Sequence, residues 1–118
     1  MTVNKINSFR DLIAWQKSQE LAVMVFKTFK NTNNNLRNQI ERSSLSITSN
    51  IAEGFGRSSQ KDKKHFYIMA RGSAYEVQSQ LYLALEIGDI NKNEFNELLK
   101  LSETSTKIIH GLIGSIKL

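Results

Sequence analysis

Apolar residues recur at intervals of three and four along nearly the whole chain, the pattern of amphipathic α-helices. In the first stretch Leu12, Trp15, Ala22, Phe26 and Phe29 fall on one side of a helix predicted over about residues 9–30. Ser8 stands where a cap is needed, and Asp11 favours the first turn. The run Asn31-Thr-Asn-Asn-Asn35 ends this helix, because asparagine side chains bond nearby backbone and compete with helical bonding. Leu36, Ile40, Ser43, Ile47, Ile51 and Gly54 share a small, apolar face on a second helix, about residues 36–56. Ser59 caps a third helix over about residues 60–87, with Asp62 at its third position and Gly88 as its stop. Its core face is Phe66, Ala70, Ser73, Val77, Leu81 and Ala84. Asn91 and Glu94 form a capping-box pair for a fourth helix, about residues 92–116, with Ile90 and Phe95 as a hydrophobic staple. Phe95, Leu98, Ser102, Ile109, Leu112 and Ile116 make its inward stripe.

No segment alternates as a strand would, and neither an internal repeat nor a second domain is visible. Short connections between long helices make sequence neighbours antiparallel. The chain therefore reads as all-α, one up-down-up-down four-helix bundle spanning residues 1–118. Its longer rods would measure roughly 30–40 Å at ~1.5 Å per residue.

Two polar patterns depart from an ordinary charged surface. On the second helix Gln39, Arg42, Ser46, Ser49, Asn50, Glu53 and Arg57 form a stripe of short hydrogen-bonding groups flanked by arginines. Such a stripe serves either helix–helix and subunit contacts or a ligand. Glu53 and Arg57 are spaced to pair, and Arg42 is placed to find Glu76. On the third helix Lys64, Ile68, Arg71, Tyr75 and Tyr82 lie roughly opposite the core face. A helix apolar on two sides has two things to pack against, the simplest second partner being another copy of the chain. Ile68, Arg71, Tyr75 and Tyr82 are thus subunit-interface candidates. Gly72, which costs ~1 kcal/mol mid-helix relative to alanine, would be tolerated where another backbone comes close.

Composition narrows the chemistry. The 118 residues include no proline, which favours uninterrupted helices, and no cysteine, which excludes disulfides, thiolate metal sites and cysteine nucleophiles. The opening residues carry no apolar run, and no stretch approaches the ~20 apolar residues of a membrane span. The expectation is a cytoplasmic protein without a membrane partner. Net charge is +5, and it is uneven: Arg57, Lys61, Lys63, Lys64 and Arg71 against Asp62 put +4 in one short segment. Arg57, Lys61, Lys63 and Lys64 are the nucleic-acid-binding candidates, the three lysines being expected to stay solvated. Trp15 is expected in the core or at an interface. Helical bundles that hold two metal ions use Glu-x-x-His motifs. The nearest approach is Asp62-Lys-Lys-His65, while His110 has no acid three residues before it. With no HExxH, GxSxG or Walker loop, neither metal, cofactor nor catalytic residue is expected, and the chain is not expected to be an enzyme.

Four motifs, in order, carry a family resemblance: Asp11-Leu-Ile-Ala-Trp-Gln-Lys17, Gln39-Ile-x-Arg42, Ser46-Ile-x-x-Asn-Ile-Ala-Glu-Gly-Phe-Gly-Arg57, and Ala70-x-Gly-Ser-x-x-Glu76. From Phe9 to Leu118 the chain resembles the bacterial four helix bundle proteins first recognised in intervening sequences of 23S ribosomal RNA genes. It departs at Thr48, where the family often has proline, and in the asparagine run, where a Phe-Pro segment is usual. The resemblance implies a bundle that assembles as a ring-like homopentamer. It also extends to the accessory variability protein of diversity-generating retroelements, which binds nucleic acid and a reverse transcriptase through a basic pentameric surface. Two functions are accordingly expected. One is a non-enzymatic oligomeric bundle binding structured RNA or DNA through basic residues. The alternative is an interaction scaffold for a nucleic-acid-processing enzyme, the second-helix stripe serving assembly alone.

Overall fold

The computed structural model describes residues 5–118. A 3-10 turn, Phe9–Asp11, precedes four α-helices: α1 (Ile13–Phe29), α2 (Asn35–Phe55), α3 (Gln60–Glu86) and α4 (Lys92–Gly114). There is no strand among the described residues. Each helix packs on its sequence neighbours and α1 closes the ring against α4, whereas the Cα atoms of the diagonal pairs α1–α3 and α2–α4 stay more than 8 Å apart. This is the adjacency of an up-down-up-down four-helix bundle.

The caps explain the boundaries. The Ser59 side chain accepts from the Asp62 N–H at 3.0 Å. Asn91 and Glu94 form a reciprocal capping box at 2.8 and 2.9 Å, and Gly88 ends α3 at φ +82°. Asn34, inside the expected loop, caps α2 by accepting from Arg37 N–H at 3.1 Å. Its amide also donates to Asp89 at 2.8 Å, tying the α1–α2 loop to the α3–α4 loop at one end of the bundle.

The first helix differs from expectation. Ser8 and Asp11 do form a capping box, but it belongs to the 3-10 turn. Leu12 is extended at φ −75°, ψ 127°, so α1 starts one residue later. Gln16 bridges the break, its amide donating to the Arg10 carbonyl at 2.8 Å. The buried stripe of α1 is Ala14, Ser18, Leu21, Val25 and Phe29, with Ala22 beside it. Phe26, expected inside, is 37% exposed. Helix α1 has apolar residues around more than half its circumference, and the positions of α2 and α4 choose which are covered. Trp15 is half-buried at the edge of the core, with Phe9 edge-on at 5.2 Å.

A similar rotation affects the start of α3. Phe66 is only half-buried, and Tyr67 takes the interior place at 3% exposure. Gly54 makes that place available: a Cβ there would stand 2.8 Å from the Tyr67 ring and 3.0 Å from Phe66 Cβ. Helices α2 and α3 thus cross at a contact only glycine fits without displacing a neighbour. The interior also holds many small hydroxyls, most of them bonded to their own helix. Ser43 donates to the Gln39 carbonyl at 2.9 Å and Ser44 to Glu41 at 2.9 Å. Thr48 donates to Leu45 at 3.0 Å. Ser18 and Ser105 bury hydroxyls with no partner among the described residues.

Candidate nucleic-acid interface

The corner where α2 ends and α3 begins gathers the basic segment, but its cations divide into two kinds. Arg57 pairs with Glu53 at 3.3 Å and lies over the Phe66 ring at 4.6 Å. Lys63 was expected in solvent and is not free. Its ammonium donates to the Phe55 carbonyl at 2.6 Å and to Gly54 at 3.5 Å, and sits 5.3 Å over the Phe55 ring. The last carbonyls of a helix have no helical donors and carry the negative end of its dipole. A lysine four residues into the next helix satisfies them. Lys61 is exposed and Lys64 partly so, and neither has an acidic partner among the described residues.

The α2 stripe is mostly structural at its centre and open at its start. Ser46 and Ser73 join hydroxyls across α2 and α3 at 2.8 Å. The Asn50 amide donates to the Ser46 carbonyl at 2.9 Å and to its hydroxyl at 3.0 Å. The Glu53–Arg57 pair forms. The expected Arg42–Glu76 pair does not: the ion pairs among the described residues are Lys17–Glu20, Arg37–Glu41 and Arg57–Glu53. Gln39 and Arg42 stay at the surface, because α2 turns them outward of its contact with α3. One helical turn beyond Glu76, Gln80 buries its Oε1 with no partner among the described residues.

The aromatic and basic stripe of α3 keeps Ile68, Tyr75 and Tyr82 exposed, as a place roughly opposite the core face predicts. It borders α4. Tyr82 sets its ring edge against Phe95 at 5.0 Å, Gln78 donates to Thr106 at 3.0 Å, and Arg71 meets His110 at 2.8 Å. Ile68 is 40% and Tyr75 54% exposed. Among the described residues no other helix comes within 4 Å of a Cβ placed on Gly72. Between α3 and α4 a groove of about 390 Å³ is lined by Tyr75, Gln78, Glu103, Thr106, Lys107 and His110. Helical periodicity alone did not reveal this pairing. Its signal is the match of polar residues at 71, 75 and 78 to others at 103, 106, 107 and 110, each set at helical spacing.

Among the described residues no three His, Cys, Asp or Glu stand together to hold a metal. No helix among them is long and apolar enough to cross a membrane. Burial raises the Tyr67 hydroxyl above the ordinary tyrosine pKa.

Four antiparallel helices with a basic corner and no strand among the described residues define an all-helical bundle protein. The 23S rRNA-intervening sequence protein family matches residues 10–111, and the chain belongs to that family. The fold is similar to the crystal structure of a protein of unknown function from the S23 ribosomal protein family of Bacteroides thetaiotaomicron. The two are 24% identical, with a TM-score of 0.81 over 87% of this chain and 96% of that one. No curated protein matches the chain.

Proposed function

We propose that the chain is a non-enzymatic, self-associating bundle that binds nucleic acid through the α2–α3 corner. The observation that carries this reading is the division of the corner's cations. Arg57 and Lys63 are held by their own protomer, while Lys61 and Lys64 are left without acidic partners among the described residues. Phosphates reward such ammonium groups by releasing condensed counterions, without regard to sequence. Self-association draws support from the outer side of α3. There Ile68, Gly72 and Leu83 share a stripe, two of them exposed apolar residues and the third with open space above its backbone. Copies joined on that side would multiply the +5 charge of each chain. The resemblance to the accessory variability protein favours the same reading and a pentamer.

The test is fluorescence anisotropy on structured RNA and on duplex DNA across a salt series, with molar mass followed by light scattering. Binding is expected to weaken steeply with salt. Replacing Lys61 and Lys64 with glutamine is expected to lower the slope of log affinity against log salt by about two, one for each phosphate no longer neutralised. No complex at low salt, or an unchanged slope in the double variant, overturns the corner reading. A mass of one 13.5 kDa chain overturns self-association.

A further inference from the structure

Among the described residues no carboxylate pairs with Arg71. A guanidinium can only donate hydrogen bonds. At 2.8 Å from Nη1, His110 Nδ1 must therefore be the acceptor. One imidazole nitrogen answers only one of the five N–H donors. No other hydrogen bond or ion pair to Arg71 exists among the described residues, although the side chain is half-buried. Beside it the α3–α4 groove adds the Lys107 ammonium, the Tyr75 hydroxyl and the Gln78–Thr106 pair, against one acid, Glu103.

We propose that this groove is a binding site for a phosphate monoester, carried by a nucleotide or by the end of a polynucleotide. A monoester holds close to two negative charges and three strong acceptor oxygens at neutral pH. Arg71 supplies planar paired donors for two of those oxygens and Lys107 a second charge. Tyr75, more than half exposed at the groove wall, offers a ring on which a base can stack. The groove, at about 390 Å³, has room for a mononucleotide. Internal phosphodiesters, with one charge each, are left to the α2–α3 corner. The polynucleotide arm of this proposal rests on the nucleic-acid reading above, and the nucleotide arm does not.

The chain's two histidines provide separate reporters. His65 lies beside Lys64 at the basic corner and His110 lies in the groove. The experiment follows both imidazoles by long-range proton–nitrogen NMR during titration with three probes: adenosine 5′-monophosphate, a 5′-phosphorylated oligonucleotide, and the same oligonucleotide without its terminal phosphate. The His110 ring is expected to shift with the first two and to respond at least about tenfold more weakly to the third, the loss expected for charge-assisted bonds. Arg71→Gln is expected to weaken the His110 response by about tenfold or more and to leave the His65 response to the unphosphorylated strand in place. Lys107→Gln, an exposed substitution that does not threaten folding, is expected to weaken it by a few-fold at least.

If His65 responds and His110 does not, the groove proposal falls and the corner reading stands. If His110 responds to the monophosphate and His65 to no oligonucleotide, the corner reading falls and the groove stands. Equal His110 responses with and without the terminal phosphate, or wild-type affinity in both variants, overturn the groove proposal.

Discussion

Helix α3 meets its two neighbours in different ways. Toward α2 the contacts are short and close: Gly54 under Tyr67, the Ser46–Ser73 hydroxyl pair, and Lys63 on the final carbonyls of α2. Toward α4 they are long and polar at their outer edge: Tyr82 on Phe95, Gln78 on Thr106, Arg71 on His110. Small residues let backbones approach and leave no room for a ligand. Long side chains hold the helices apart at their rims, which opens a groove and leaves donors to spare. The first flank is closed by small residues, and the second is where the proposed site lies.

That contrast can be broken by substitution. The largest effect is expected at Gly54→Val, where the added carbons meet the Tyr67 ring and Phe66 Cβ. Overpacking at a close helix crossing costs about 3 kcal/mol, and thermal unfolding should fall on the order of 15 °C. Unchanged stability would mean that α2 and α3 have room to move apart at this crossing. Gly72→Ala tests open backbone on the same helix. It should stabilise the protomer by about 0.5–1 kcal/mol, because alanine restricts the unfolded chain and meets nothing in the folded one. A denaturant midpoint below wild type would contradict this, whereas a stabilised protomer that no longer assembles would place another copy over Gly72.

The smallest effect concerns pH. Burial raises the Tyr67 pKa in the folded state. Below the ordinary tyrosine value of about 10 the phenol is neutral whether folded or not, and the group adds no pH dependence. Above it the unfolded chain ionises first, so stability falls as pH rises from about 10 toward the raised folded value. Tyr67→Phe should flatten the alkaline fall measured by denaturant unfolding, while leaving the neutral-pH value within about 1 kcal/mol. Equal alkaline slopes in the two proteins would show that Tyr67 is not the group responsible.

The four helices, both ends of α3 and the start of α4 were legible because caps and periodicity are local, whereas the start of α1 was not, its predicted cap Ser8 serving a separate 3-10 turn. Ser59, Gly88, Asn91 and Glu94 act within a few residues of themselves, and each does what its type and position predict. Asn34 was hidden because a run of asparagines gives no sign of which one faces the first free N–H groups. The candidate site was less legible. The basic corner could be located as a charge excess, but charge alone does not separate Lys63, spent on helix carbonyls, from Lys61 and Lys64. The Arg42–Glu76 pairing failed for a related reason: spacing within one helix is known in advance, whereas the relative rotation of two helices is not.

Sequence alone therefore determined that there are four amphipathic rods, where α3 and α4 begin, and that neighbours run antiparallel, because each follows from forces acting within a turn or two of helix. Tertiary structure decided which edge of each rod is covered. Phe26 was left outside, Tyr67 was brought in over Gly54, and Arg71 was set against His110, 39 residues away along the chain. Those outcomes depend on the rotation of whole helices about their axes, which is chosen by the packing of all four together.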